Sequence, residues 1–147
     1  MEIGDKMPEF TAITDDGKQL SSSDITGSPC VIYFYPKNET KGCTAQACSF
    51  RDNYEDFKEI GAEVIGISHD SVKSHQNFKE HHRLPYILLC DKDKTLRSLF
   101  NVKGDLLGLI TGRETFVFNA NGELIYKFRS QVKIEDHIQN ALKKLKE

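Results

Sequence analysis

Residues 30–35 read Cys-Val-Ile-Tyr-Phe-Tyr, six apolar positions with no polar break. A strand with one wet face alternates apolar and polar side chains. An unbroken run rich in β-branched and aromatic residues belongs to a strand covered on both faces. That one run requires layers on each side of a sheet, and so an α/β architecture. Pro36 ends it. Glu63 to Ser68 and Tyr86 to Cys90 read as further buried strands. Helical stretches separate them. From Cys43 to Ile60 the residues Ala47, Phe50, Tyr54 and Phe57 recur at helical spacing, and Gly61 sits where a helix-ending glycine would. Ser71 to His82 is helical and mostly polar, and Lys94 to Phe100 is a short helix. Phe10 to Ile13 and Lys18 to Leu20 flank Asp15-Asp16-Gly17 as an N-terminal hairpin. Thr115 to Phe118 and Glu123 to Phe128 flank a second turn, Asn-Ala-Asn-Gly. Ile134 to Lys146 closes the chain as a helix with Ile134, Ile138, Leu142 and Leu145 on one face. The expected fold is a single α/β domain over residues 1–147, a central mixed sheet flanked by helices with an N-terminal hairpin. In such sheets ligands gather beyond the carboxyl ends of the parallel strands. The loop after residues 30–35 lies there and carries Thr40 and Cys43.

The formal net charge is -2 with 29% charged residues, so no strong field selects nucleic acid or an anionic membrane. Met1 to Phe10 holds early acids and no apolar run, unlike a secretory signal. The longest apolar stretches, CVIYFY and LLGLI, are too short to span a bilayer. The expected location is the reducing cytoplasm. Four cysteines are too few for a disulfide scaffold, so pairing among them would be catalytic.

Cys43 and Cys48 stand five residues apart at a helix start. At the first turn, the Cys43 sulfur meets free backbone N–H groups and the positive end of the helix dipole, which favour a thiolate nucleophile. Thr40 can offer its hydroxyl to that sulfur, and Pro36 can screen it from water. On an intact helix, residues i and i+5 have Cα atoms about 8.6 Å apart and point about 140° apart around the axis. A disulfide requires Cα atoms within about 7 Å. The two thiols can therefore bond only if the first turns unwind. Such an element suits a cycle in which Cys43 is oxidised to a sulfenic acid and then captured by a second thiol. The leaving oxygen needs a cation, ideally a guanidinium fork. Arg113, just before the strand Thr115 to Phe118, is the candidate, provided that it shares a sheet edge with Cys43.

The run YFYPKNETKGCTAQACSFRD resembles the peroxiredoxins, in particular the bacterioferritin-comigratory-protein or peroxiredoxin Q branch, and the resemblance covers essentially the whole chain. The P-x-x-x-T-x-x-C pattern falls on Pro36, Thr40 and Cys43. The resemblance implies a thioredoxin-like fold and a thiol-dependent peroxidase for hydrogen peroxide and organic hydroperoxides. It implies that Cys43 is the peroxidatic cysteine, Cys48 the resolving one, Arg113 the arginine completing the site, and thioredoxin the reductant. No cofactor or metal is implied. A monomer is expected, with a weak dimer as the alternative. Two positions depart from the branch's usual pattern. Lys41 replaces a proline, and Gln46 stands where glutamate is common.

Other residues are expected to be structural. Cys30 begins its strand, far from Cys43, and Cys90 ends one as a packed thiol. Arg51 is expected to pair with Asp52 or Asp56. His69, His75, His81, His82 and His137 are expected at the surface, with the adjacent His81 and His82 on different helix faces. A thioredoxin-type reductase would need two cysteines separated by two residues, which the chain lacks. A metal carrier would need converging ligands. A peroxide sensor relaying oxidation to a partner differs from a peroxidase only in turnover.

Overall fold

The computed structural model describes residues 1–105, 107 and 110–147. Part of the LLGLI stretch therefore lies outside the described residues. The strands are β1 (Thr11–Thr14), β2 (Gln19–Ser21), β3 (Cys30–Phe34), β4 (Glu63–Ser68), β5 (Ile87–Cys90), β6 (Gly104–Asp105), β7 (Ile110–Thr111), β8 (Glu114–Phe118) and β9 (Leu124–Arg129). The helices are α1 (Lys41–Asp52), α2 (Tyr54–Glu59), α3 (Val72–His82), α4 (Thr95–Leu99) and α5 (Ile134–Lys146). Seven strands form one mixed sheet in the order β2-β1-β5-β4-β3-β8-β9. β3, β4 and β5 run parallel, while β1 and β8 join them antiparallel. The expected N-terminal hairpin pairs Ala12 with Leu20. The β6–β7 ribbon, two residues per strand, was not anticipated.

All five residues of β3 are buried, as its unbroken apolar run requires. Val31 and Tyr33, with Tyr35 just beyond the strand, face the layer of α1, α2, α3 and α5, among Ala47, Phe50, Phe57, Phe78 and Ile138. Cys30, Ile32 and Phe34 face the other layer, among Phe10, Leu96, Phe100 and Phe116. The period-2 alternation of a strand thus feeds two separate cores. Tyr33 stacks on Phe50 with centroids 4.6 Å apart, fastening α1 to the middle of the sheet. The close packing needs Gly66 on β4. A Cβ there would meet the Tyr33 ring at 2.9 Å and Leu88 at 3.0 Å.

The helix expected over residues 43–60 is two helices. Asn53 takes a non-helical conformation, and its side-chain amide donates to the Ser49 carbonyl at 2.8 Å. That side chain competes with the backbone ladder and breaks the helix there. Phe50 and Phe57 still reach the same core across the break. Gly61 follows α2 with φ +74, the left-handed conformation that its lack of Cβ permits.

Two histidines expected at the surface are fully buried. His75 on α3 faces Asn38 Nδ2 through Nδ1 at 3.0 Å and the Leu89 carbonyl through Nε2 at 3.0 Å. His137 on α5 faces the Thr115 hydroxyl at 2.7 Å and the Ser130 carbonyl at 2.7 Å. Each ring bridges its helix to the sheet side, so its polar atoms are satisfied inside. The signal was present in the periodicity. His75 is in helical step with Phe78, and His137 with Ala141.

Candidate active site

β3 and β8 are antiparallel with Phe34 opposite Glu114. The carboxyl end of β3 therefore lies beside the start of β8. That register brings the loop Tyr35–Thr40 and Arg113 to one sheet edge, the condition set for Arg113. Tyr35 still donates its N–H to Ile67 O at 3.1 Å, and Pro36, which has no N–H, turns the chain away. Thr40 is the N-cap residue of α1, with its carbonyl accepting from Thr44 N at 2.8 Å. Cys43 is then the third residue of the helix.

Cys43 is 1% exposed and its thiol is free. Arg113, itself buried, donates from Nη2 to Cys43 Sγ at 3.4 Å and from Nη1 to Gln46 Oε1 at 2.6 Å. One guanidinium thus spans the sulfur and a side chain three residues further along α1. The fork suits this bridging role, because its donors are fixed in one plane. Gln46 is fully buried, and its neutral carbonyl orients Arg113 without cancelling its charge. Two buried N–H groups, Arg113 Nε and Gln46 Nε2, have no partner among the described residues. Gly42 completes the fit. A Cβ on it would stand 3.1 Å from Arg113 Nη2. Sequence reading did not single out Gly42. Its position beside Cys43 was visible, but its closeness to Arg113 is a tertiary fact.

Thr40 differs from expectation. Its hydroxyl donates to Lys37 O at 2.8 Å, not to the sulfur, and does not cap the helix. The single hydroxyl proton is spent on stabilising the loop, which leaves Thr40 Oγ1 as an acceptor. Pro36 is half-buried at the beginning of that loop, and Lys41 is exposed at the first helical position.

Cys48 is half-buried, also free, and rides on the same intact helix as Cys43. The helix is pinned at mid-length. Tyr86 OH donates to Ala47 O at 2.9 Å and is 2.8 Å from Tyr33 OH. Cys30 is buried in the other layer, and burial pushes its thiol up to about 12. Cys90 ends β5, two strands from β3, half-buried rather than packed away. Burial and then the charges of Asp15 and Asp70 raise its thiol to about 11. Neither is set up as a nucleophile. Arg51 pairs with Asp52 at 3.0 Å, as expected, and also donates to the His82 carbonyl at 2.7 Å.

His81 and His82 depart from the expectation of different faces. Both meet Glu39, His81 Nδ1 at 3.0 Å from Oε2 and His82 Nε2 at 2.8 Å from Oε1. The ring nitrogen used differs between them, which lets two adjacent side chains converge. Burial pushes the Glu39 carboxyl up, but the hydrogen bonds from His81 and His82 outweigh it and hold the group below its usual range.

A free cysteine in the first turn of a helix, gripped by a buried arginine just ahead of β8, is an arrangement that can support thiol redox chemistry at the edge of a central mixed sheet. Residues 3–127 match the AhpC/TSA family. Peroxiredoxin Q, chloroplastic, of Sedum lineare is 46% identical over 142 residues, covering 97% of this chain and 76% of that one. The rice (Oryza sativa subsp. japonica) peroxiredoxin Q is 47% identical over 140 residues, 95% of this chain and 64% of that one. The chain thus spans a little under two thirds of the length of several of its curated relatives. Among solved structures, peroxidoxin BcpB from Mycobacterium tuberculosis superposes with a TM-score of 0.92 at 34% identity, covering 99% and 97% of the two chains. The Xanthomonas campestris bacterioferritin comigratory protein, whose structures address alkyl peroxide reduction, gives 0.85 at 32% identity over 93% and 90%. The chain belongs to the AhpC/TSA family, in its peroxiredoxin Q and bacterioferritin-comigratory branch, and has that branch's thioredoxin-like fold.

Proposed function

We propose that this chain is a thiol peroxidase that reduces hydrogen peroxide and organic hydroperoxides through Cys43, with Cys48 as its resolving thiol. The observation that carries the reading is the 3.4 Å contact from Arg113 Nη2 to Cys43 Sγ at the start of α1. It supplies positive charge and a hydrogen bond to a sulfur that must react as a thiolate.

In the first step the Cys43 thiolate attacks one peroxide oxygen. The S–O bond forms as the O–O bond breaks, and the other oxygen leaves as hydroxide or alkoxide and takes up a proton. Cys43 is oxidised to a sulfenic acid and the peroxide is reduced. Arg113, held by Gln46, lies where charge develops on the oxygens. Its unpartnered Nε and Gln46 Nε2 are N–H donors that a peroxide oxygen would satisfy. Thr40 Oγ1 is an acceptor for a hydroperoxide proton. In the second step the first turns of α1 unwind and the Cys48 thiol displaces hydroxide from Cys43, giving the Cys43–Cys48 disulfide and water. In the third, a thioredoxin-type dithiol reduces that disulfide by exchange and is itself oxidised. This cycle needs a supply of reduced thioredoxin-type dithiol. It needs no cofactor, and a monomer suffices because both thiols are on one chain. Among the described residues, no helix is long and apolar enough to cross a membrane.

The test is mass spectrometry of the reduced chain after one equivalent of hydrogen peroxide. Loss of two hydrogens, mapped to a Cys43–Cys48 bridge, is expected. Cys43→Ser should abolish turnover, and Cys48→Ser should stop at one added oxygen on Cys43. Full thioredoxin-coupled turnover by Cys48→Ser would remove Cys48 from the cycle. A chain that forms the bridge but turns over slowly with thioredoxin would be the sensor instead.

A further inference from the structure

Glu39, His81 and His82 lie outside the thiol site, and their ligand atoms all fall within 4.8 Å of one another. Glu39 is in the loop between β3 and α1, one residue before the N-cap residue Thr40. His81 and His82 are the last two residues of α3, whose end is marked by Arg83 in the left-handed conformation (φ 53). Two imidazole nitrogens and a carboxylate are a donor set that zinc-class divalent ions take, with one or more positions left to water.

Two of the three ligand–ligand distances are close to what such an ion needs, and the third is within 4.8 Å. Metal–ligand distances of about 2.0–2.2 Å place tetrahedral ligands roughly 3.3–3.5 Å apart. The Glu39–His81 and Glu39–His82 contacts, 3.0 and 2.8 Å, need to widen by only a few tenths of an ångström. As neutral rings, His81 donates from Nδ1 and His82 from Nε2. A tautomer shift on each ring turns those nitrogens into lone-pair donors facing the carboxylate. One divalent ion then replaces two hydrogen bonds. Half of the site is already ordered. The His82 ring packs edge-on against Phe78 at 5.0 Å, and Arg51 Nη1 holds the His82 carbonyl at 2.7 Å. The His81 side chain is 67% exposed and that of Glu39 46%, so the site is open to metal from solution.

The position of Glu39 gives the site a consequence. Its neighbour Asn38 already ties the loop to the β4–α3 connection and to α3. Asn38 N donates to Asp70 Oδ2 at 2.9 Å, its Nδ2 reaches Ser74 Oγ at 3.1 Å and His75 Nδ1 at 3.0 Å, and its Oδ1 accepts from Tyr35 OH at 2.5 Å. Glu39 is the next residue toward Cys43. Coordinate bonds there would extend the protein's own grip to the edge of α1, the segment that must unwind.

We propose that Glu39, His81 and His82 form a binding site for a zinc-class divalent ion, and that the bound ion clips the loop before Cys43 to the end of α3 and slows Cys43–Cys48 closure. The site stands on its own geometry; the effect on closure rests on the cycle proposed above.

The experiment is a calorimetric titration of the untagged, reduced chain with Zn²⁺. One ion per chain is expected, with affinity at least about tenfold weaker in Glu39→Gln and in His82→Gln, each removing one of three ligands. Thermal melts of these surface variants verify that they fold. Binding retained in a Cys43→Ser, Cys48→Ser chain shows that the thiols are not the ligands. Absence of binding, affinity unmoved in both ligand variants, or binding lost with the thiols would overturn the site. Quenched-flow mass spectrometry after one equivalent of hydrogen peroxide then reads closure. Zinc should slow bridge formation about tenfold in the wild-type chain and leave it unchanged in His82→Gln. Equal wild-type rates with and without zinc overturn the clip. A bridge absent even without zinc refutes the cycle, while the titration still decides the site.

Discussion

Replacing Arg113 by lysine keeps the positive charge and removes the fork. In the structure Arg113 makes two bonds at once, to Cys43 Sγ at 3.4 Å and to Gln46 Oε1 at 2.6 Å. A single ammonium on a thinner stem cannot hold both positions. A hydrogen bond to a charged group contributes about 1.5–3 kcal/mol, so losing one of the two corresponds to roughly ten- to 150-fold in rate. The second-order rate constant for Cys43 oxidation by hydrogen peroxide should fall by that factor, read by competition against a second peroxidase or by quenched mass spectrometry. Alkylation of Cys43 by iodoacetamide separates two roles. If Arg113 acts on the charge that develops as the O–O bond breaks, oxidation falls more than alkylation. An Arg113→Lys chain that reacts with peroxide within about twofold of wild type would refute the reasoning, and equal losses in both reactions would refute the transition-state role.

Gly42→Ala should separate stability from activity: alanine favours the helix by up to about 1 kcal/mol, yet its Cβ would crowd Arg113 Nη2 at 3.1 Å, so the melting temperature should hold or rise while peroxide oxidation slows about tenfold. An unchanged rate would show that the guanidinium gives way freely. Tyr86→Phe removes the donor to Ala47 O and leaves Tyr33 OH without that acceptor, so urea denaturation should show a loss of about 1–3 kcal/mol, and Cys43–Cys48 closure should quicken as α1 loses its pin. Burial, with a smaller push from Arg113, holds His137 down to about 4 against the opposing bond to the Ser130 carbonyl. The unfolded chain therefore binds a proton near pH 6.5 that the folded chain refuses, so stability is full above about 6.5 and falls as pH drops toward 4, by about 3 kcal/mol. Urea midpoints at pH 7 and pH 4.5 read this, and the difference should shrink in His137→Asn.

Much of this was legible in the linear chain, and the misses have specific causes. The run CVIYFY announced a strand buried on both faces, and both cores indeed meet on β3. The helix break at Asn53 was missed because apolar spacing continues through it; only the amide's bond to Ser49 O shows the interruption. Histidine is usually exposed, which is why His75 and His137 are expected outside, whereas here each finds two polar partners inside. Backbone angles alone put His81 and His82 on different faces, but one ring reaches Glu39 with Nδ1 and the next with Nε2.

Local chemistry is what the linear chain can determine. The apolar runs dictate a two-sided sheet, and the Pro36, Thr40, Cys43 spacing places a thiol at a helix start, because such relations act over a few residues. The partner of that thiol is decided elsewhere. Arg113 is seventy residues from Cys43 and reaches it because β8 pairs antiparallel with β3 in one register. A slip of one residue would turn the strand's side chains to the other face. The same holds for Gly42 against Arg113, for Gln46 as the neutral anchor of a guanidinium, and for Glu39 against the end of α3. These contacts are set by packing between elements, which no short window of sequence contains.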